Sequence, residues 1–162
     1  MRDRPRAKRP RLRTIEINKQ IPMIKEEKGE IDMGKKEGVL IIGHGSRLSY
    51  NKDVIELNAQ RLREKGIKNV YVGFNEMSDP PIEEAIEKMV ADGVDVIYAL
   101  PLFISSGLHL TKDVPEKLGI PENSSGGIVK IKGKIITVKY STAIGEDPRI
   151  ADILNDRIAE MK

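Results

Sequence analysis

Two histidines are the residues of this 162-residue chain whose types and positions most directly indicate chemistry. His44 lies between two glycines after the apolar run 39–42, and His109 follows the apolar run 96–103. Each histidine therefore stands after a predicted β-strand, and open α/β sheets bind ligands just beyond the carboxyl ends of their strands. An imidazole titrates near pH ~6.5, so both side chains can act as neutral metal ligands or as proton acceptors.

Two imidazoles at one cleft suit a late divalent transition metal such as cobalt, nickel or zinc. The chain contains no cysteine, which excludes disulfides and thiolate ligands and leaves imidazole and oxygen donors. A structural zinc site closes with four ligands, so two histidines favour an ion that is passed on rather than kept. The alternatives are a strand-end His44 satisfied by a backbone carbonyl and a His109 in an ordinary turn before a helix.

Two acidic residues follow the second predicted strand, 70–74, on the same rim of the sheet. Glu76 and Asp79 could supply oxygen ligands or accept protons there. Acids that precede a helix also stabilise its positive N-terminal end, which is the alternative role for both. Three cations near the rim could meet an acidic substrate or be ordinary surface charges: Arg47, Lys52 and Lys112.

The glycine-rich stretch GHGS at 43–46 raises the question of phosphate binding. It lacks the lysine of a Walker loop and the spacing of the dinucleotide-binding GxGxxG motif, so neither nucleotide motif is present. The sequence also has no GxSxG nucleophile elbow. A phosphoryl-accepting role for His44 stays open as an alternative.

The hydrophobic pattern alternates between strands and helices along the chain. Apolar runs predict strands ending near residues 43, 74 and 140 and a strand over 94–100. Amphipathic segments predict helices over 50–65, 82–92, 111–118 and 149–161, with Ser49 or Asn51 as the N-cap of the first. This alternation predicts one α/β domain with an open, mainly parallel four-stranded sheet flanked by helices. Residues 128–140 could add a hairpin strand.

Charge divides the chain at residue 37. The net charge of +3 arises from about +5 in residues 1–37 and about −2 in residues 38–162. Residues 1–37 are predicted to be a basic, disordered extension, with Met33 as an alternative start and a nucleic-acid-binding arm as an alternative function. No apolar run is long enough to span a bilayer, so we expect a cytoplasmic protein without membrane contact.

Three motifs together resemble the short, single-domain sirohydrochlorin chelatases of archaea, which are class II chelatases. They are VLIIGHGSR at 39–47, PLFISSGLHLTKDVP at 101–115 and the weaker IGED at 144–147. The resemblance extends over residues 38–162 and leaves the basic extension outside. The joint pattern is specific, whereas GHGS alone would not be.

The resemblance implies insertion of cobalt(II) into sirohydrochlorin for cobalamin biosynthesis, or of nickel(II) toward the nickel tetrapyrrole of methanogenesis. The metal would be a substrate, with no permanently bound cofactor, and the protein a homodimer. His44 and His109 match the metal-binding histidines, with His44 also the proton acceptor, and Asp79 matches a substrate contact. Glu76 rests on the rim argument alone. The tetrapyrrole-binding loop corresponds to Ile104, Ser105, Ser106, Gly107, Leu108 and His109.

Two other functions compete with the chelatase. A metal or tetrapyrrole carrier would use the same histidines without accelerating insertion. A nucleic-acid-associated protein would depend on the basic extension, but residues 38–162 show no basic stripe and few aromatic residues for base stacking, so this function ranks last.

Overall fold

The computed structural model describes residues 34–162, so most of the predicted basic extension lies outside the described residues. The first strand begins at Glu37. Five strands and four α-helices follow one another, with one π-helical turn at His109–Asp113. The elements are β1 Glu37–Gly43, α1 Tyr50–Glu64, β2 Val70–Phe74, α2 Ile82–Ala91, β3 Val96–Pro101, α3 Val114–Leu118, β4 Gly126–Ile131, β5 Lys134–Tyr140 and α4 Arg149–Glu160.

The strands form one open sheet in the order β2-β1-β3-β5-β4. β1 pairs in parallel with β2 and β3, and β5 pairs in parallel with β3. β4 adds an antiparallel edge through a hairpin with β5. The predicted four-stranded parallel sheet is confirmed, and the hairpin proposed within residues 128–140 provides a fifth strand.

The core lies on both faces of the sheet, which explains why β1 reads as an unbroken apolar run. On one face, α2 buries residues at the spacing of a helical stripe against the sheet. On the other face, Ile55 and Ala59 of α1 pack with Ile41, Val70 and Phe74. The buried residues of α2 are Ile82, Ala85, Ile86, Met89 and Val90.

The third strand and the helix after it begin at different residues from those predicted. β3 starts at Val96 rather than at 94, because the Val94 N–H closes the end of α2 on the Met89 carbonyl. The helical segment predicted over 111–118 begins at His109, in a π-helical turn that continues into α3. His109 is therefore held at the start of a helical segment and does not lie in a loop.

The last helix has no buried residue. Its apolar side chains fall on one side, at the i, i+3, i+4 and i+8 spacing of residues 150, 153, 154 and 158. Ile153, Leu154 and Ile158 are each at least half exposed. Within residues 34–162, no helix combines the length and apolar character needed to cross a membrane.

A prediction concerns Tyr140, which joins β5 to the π-helical turn. Its hydroxyl donates to the Leu110 carbonyl at 3.0 Å, and burial raises the pKa of Tyr140 to about 12, so the donor proton is kept well into the alkaline range. We expect Tyr140→Phe to lower the free energy of unfolding by about 0.5–1.5 kcal/mol in urea denaturation. Tyr98→Phe, which removes an exposed hydrogen bond to Glu37, should lower the free energy of unfolding by less. An equal loss in the two variants would contradict the stabilising role of the Tyr140 hydrogen bond.

Candidate metal and substrate site

The strand order brings three potential metal ligands together. β1 lies between β2 and β3, and each of these strands is followed by one of the residues His44, Glu76 and His109. One ligand atom from each residue lies within 4.8 Å of the other two. The His44 Nε2 is 3.3 Å from Glu76 Oε1, and the two imidazole rings meet edge to face with centroids 4.9 Å apart.

The backbone of the site loop orients the ring of His44. Its Nδ1 lies 2.9 Å from the carbonyl oxygen of Gly45, which can only accept a hydrogen bond. This is the hydrogen bond that the ring makes among the described residues, because the 3.3 Å contact of Nε2 with Glu76 is not one, so the proton of the neutral ring is placed on Nδ1 and the lone pair on Nε2. Phe103 supports the ring from the side, with centroids 5.9 Å apart.

The ring of His109 is held by polar neighbours at its Nδ1. Asp113 Oδ2 lies 2.7 Å from this nitrogen, and Asn75 Nδ2 lies 3.2 Å from it. Asn75 is buried, with 5% of its surface exposed. Its backbone carbonyl accepts a hydrogen bond from the Lys117 ammonium, which ties α3 to the loop after β2.

The distance between His44 and Glu76 depends on Gly45. Beyond the strands, Asn75 N–H donates to the Gly43 carbonyl and Glu76 N–H donates to the His44 carbonyl, at 2.9 and 3.0 Å. Gly45 has φ +88°, and a Cβ there would lie 1.5 Å from the Glu76 carbonyl oxygen. Only glycine permits this approach of the two loops.

The side chain of Asn51 has a different role from the helix cap considered for this segment. Its Oδ1 accepts a hydrogen bond from Gly45 N–H at 3.0 Å. Ser49 occupies the N-cap position of α1 but makes no side-chain capping bond. The first turn of α1 therefore fixes the position of the site loop.

Large apolar side chains stand exposed on the loops that surround the three ligands. Ile104 and Leu108 are 67% and 68% exposed, and Leu48 and Met77 on the other two loops are similarly open. The 104–108 loop also exposes Ser105, Ser106 and Gly107. This combination of apolar surface and small polar residues suits one face of a flat, acidic macrocycle.

The third sequence motif supports this loop from behind. The Ile144 N–H donates to the Phe103 carbonyl at 2.9 Å, and a Cβ on Gly145 would lie 1.8 Å from the Ile104 carbonyl. This close approach to Ile104 explains the glycine in the motif IGED. The motif positions the 104–108 loop and contributes no ligand atom to the three-residue cluster.

The remaining residues predicted for the site lie outside the cluster. Asp79 is exposed in the loop after β2, and its predicted substrate contact stays a prediction. Arg47 and Lys112 are exposed, and within residues 34–162 neither forms an ion pair. Both are therefore available to an acidic ligand.

Sequence reasoning assigned no site role to three residues: Asn51, Asn75 and Asp113. Asn75 directly follows β2, in the same strand-end position as His44 after β1, and could have been considered on that ground. Asp113 stands four residues after His109, the spacing of side chains that share one helix face. No comparable pattern pointed to Asn51, whose contact spans two different elements.

Two imidazole nitrogens and one carboxylate oxygen form a donor set for cobalt, nickel, zinc or iron ions. Side-chain exposures of 42% for His44, 39% for Glu76 and 42% for His109 keep the cluster open to solvent. Three protein ligands on an open edge leave coordination positions for other donors, as in metal sites that act on a substrate. The fold and the site together therefore define an α/β metal-handling protein.

Solved structures share this fold. The sirohydrochlorin chelatase SirB from Bacillus subtilis subspecies spizizenii, in complex with cobalt, aligns with a TM-score of 0.63 at 22% identity. The alignment covers 77% of this chain and 50% of that one. A CbiX protein from Marinobacter aquaeolei VT8 aligns with a TM-score of 0.58 at 22% identity, over 77% of this chain and 96% of that one. The chain has the chelatase fold.

The family is narrower than the fold. The CbiX family model matches residues 38–161. The sirohydrochlorin cobaltochelatase of Methanosarcina barkeri is 42% identical over 129 residues, which are 79% of this chain and 98% of that protein. The enzyme of the same name from Sulfurisphaera tokodaii is 36% identical, over 76% and 92% of the two chains. This chain belongs to the CbiX family, which confirms the resemblance seen in its motifs.

A prediction follows from the close approach at Gly45. We expect Gly45→Ala to displace the 75–76 backbone, weaken cobalt(II) binding in isothermal titration calorimetry and lower the free energy of unfolding. Gly66→Ala is the matched control, because Gly66 has the same φ of +88° and a methyl group added there would have no atom within 4 Å. The control should show only the left-handed backbone cost, about 1–2 kcal/mol, and normal cobalt binding. Equal cobalt affinities in the two variants would contradict this account.

Proposed function

We propose that this chain inserts cobalt(II) into sirohydrochlorin. The observation that carries the proposal is the convergence of His44, Glu76 and His109, with ligand atoms within 4.8 Å, at one open edge of the sheet. The exposed apolar side chains on the surrounding loops support it, because a flat ring can lie over them. The relatives named sirohydrochlorin cobaltochelatase indicate the ring and the metal.

The metal is a substrate in this proposal and not a resident cofactor. His44, His109 and Glu76 would hold the incoming ion by replacing part of its water shell, with the remaining positions turned to the ring nitrogens. Holding both reactants in this way turns an encounter of two solutes into a reaction within one complex. An incomplete protein ligand set also favours release of the ion to the ring, which offers four nitrogen donors.

Metallation must remove two protons from the pyrrole nitrogens of the ring. As the ion moves onto the ring, the lone pair of His44 Nε2 is released and can accept the first proton, which is the role proposed for this residue. Glu76, 3.3 Å from that nitrogen, can accept the second proton or take the first one onward. Proton transfer to a positioned base typically accelerates a reaction by about 10²–10⁴-fold.

The ring would bind against the 104–108 loop. Ser105 and Ser106 can donate hydrogen bonds to ring carboxylates, and Ile104 and Leu108 can cover part of the apolar macrocycle. Asp79 is proposed as a further contact at the rim. Arg47 and Lys112 supply positive charge for the acidic periphery of the substrate.

Nickel(II) is the second metal proposed. Imidazole and carboxylate donors accept both ions, and the general affinity order places nickel above cobalt. Discrimination therefore depends on the rate of transfer to the ring rather than on binding to the cluster. A comparison of insertion rates, and not of affinities, is the informative measurement.

The proposal is tested by following the absorbance of sirohydrochlorin mixed anaerobically with cobalt(II) or nickel(II). We expect the wild-type protein to accelerate metallation, and His44→Ala and His109→Ala to reduce the catalysed rate by about 100-fold or more. Glu76→Gln should also slow insertion, because the amide keeps the size of the side chain but is a poor proton acceptor. The faster metal would indicate the physiological substrate.

Glu83→Gln is the matched control, since it removes one exposed carboxylate from the cleft that Asn75 and Glu76 also line and leaves the three ligands unchanged. It should keep a near wild-type rate. A wild-type protein that binds the ring but never exceeds the spontaneous rate with either ion would contradict the enzyme and indicate the carrier.

We propose further that the protein acts as a homodimer. The apolar face of α4 is exposed in the single chain, with Ile153 at 52%, Leu154 at 60% and Ile158 at 51%. Burial of such a face in a second copy would gain roughly 25 cal/mol for each Å² removed from water. The chain also aligns to half of the length of the Bacillus chelatase, so two copies would match its size.

Leu154→Glu should therefore convert the dimer to a monomer, as measured by light scattering coupled to gel filtration. A carboxylate inside an apolar interface carries a desolvation cost that no partner offsets. Asn155→Glu adds the same charge one residue away, outside the apolar stripe, and should leave the mass unchanged. A monomeric wild-type protein, or dissociation by both variants, would refute the α4 interface.

A further inference from the structure

We infer that Asp113 is a positioning residue that fixes the Nδ1–H tautomer of His109 and so presents the Nε2 lone pair to the metal. The inference rests on the proposed function for its consequence, which is the delivery of the ion to the ring. Its structural basis is independent of that function. It consists of the hydrogen bonds that surround one ring nitrogen.

The first argument is the donor and acceptor chemistry at His109 Nδ1. Asp113 Oδ2 lies 2.7 Å away, and a carboxylate can only accept a hydrogen bond. The nitrogen must therefore carry the proton. In a neutral imidazole one nitrogen carries the proton and the other a lone pair, so the lone pair is on Nε2.

The second argument comes from Asn75. In the orientation described, its Nδ2 faces His109 Nδ1 at 3.2 Å, which would place one donor against another, and its buried Oδ1 has no hydrogen-bond partner. A half-turn of the amide removes the contact between two donors, because Oδ1 then faces His109 and accepts a second hydrogen bond from Nδ1–H. The buried amide and the carboxylate thus favour the same tautomer.

The third argument is that, in the part of the chain that the structure describes, the Asp113 carboxylate has no polar partner besides His109. It is the N-cap residue of α3, but its side chain makes no capping hydrogen bond. Within residues 34–162, its carboxylate pairs with no lysine or arginine. The π-helical turn that separates His109 from α3 ends at Asp113, and such turns are frequent at functional sites.

The two histidines are consequently oriented by different acceptors. His44 donates Nδ1–H to a backbone carbonyl that no substitution of a side chain removes, whereas His109 donates to a carboxylate. A carboxylate is the stronger acceptor and raises the electron density on the opposite nitrogen. A single substitution at Asp113 can therefore change the affinity of His109 for the ion.

The test uses the metal-free full-length chain labelled with ¹⁵N. The sequence contains only two histidines, so a long-range ¹H–¹⁵N spectrum near pH 8 shows two rings, and His44→Gln assigns them. We expect the Nδ1–H tautomer for His109 in the wild-type chain and a shift toward Nε2–H in Asp113→Ala. Cobalt(II) titration should show affinity reduced by about 10–100-fold in the same variant.

Asp113→Asn distinguishes positioning from charge. Its amide oxygen can still accept from Nδ1–H, so this variant should keep the tautomer and recover most of the affinity. Glu116→Ala removes an equal charge three residues further along and should change cobalt affinity by no more than about twofold, since exposed charges are well screened. If Asp113→Ala does not fold, the wild-type tautomer and Asp113→Asn still decide the inference.

A wild-type His109 in the Nε2–H form would overturn the inference, as would loss of affinity in Asp113→Ala without a change of tautomer. Equal losses in Asp113→Asn and Asp113→Ala would also overturn it, because charge would then be the cause. These results are separate from the insertion assay. A chain that shows the predicted tautomer and affinities but does not accelerate metallation would refute the proposed function and leave the positioning role in place.

Discussion

The site depends on the pairing of β1 with β2 beyond the ends of both strands. Two backbone hydrogen bonds, from Asn75 to Gly43 and from Glu76 to His44, continue the ladder into the loops. They place the imidazole of His44 and the carboxylate of Glu76 on neighbouring loops, at the spacing of adjacent strands. The continuation requires Gly45, where any side chain would overlap the Glu76 carbonyl. A backbone constraint, rather than attraction between the side chains, therefore sets the distance between the two ligands.

Much of this arrangement could be predicted from sequence because parallel strands have a fixed polarity. His44, Glu76 and His109 each follow an apolar run that predicts a parallel strand. The sequence therefore placed all three residues at the same edge of the sheet, where the strands end. The role of Glu76 could not be separated from that of Asp79, since both follow β2 closely. The structure separates them by their backbone contacts. The Glu76 N–H donates to the His44 carbonyl and so lies beside β1, whereas Asp79 is exposed further along the loop.

Individual hydrogen bonds, both local and between distant segments, were the part that sequence could not provide. The start of the helical segment moved to His109 because Gly107 accepts hydrogen bonds from Leu110 and Thr111, which no propensity scale reports. Asn51 was a plausible helix cap by type but bonds to Gly45 instead. The amphipathic pattern of α4 predicted the helix correctly, yet it could not say that the apolar face would stay exposed among residues 34–162.

The exposure of the cluster also bears on how an ion can be bound and then released. A buried, fully coordinated ion would be held too tightly to leave, and its site would exclude a second reactant. Here the three ligand side chains are about two-fifths exposed, and the loops around them carry exposed apolar side chains. A ring lying on those residues would remove water from the cluster and strengthen the electrostatic interactions within it. Transfer of the ion would then be favoured only while the ring is bound. The ion would move from the three protein ligands, which bind it weakly, to the ring nitrogens, which bind it tightly.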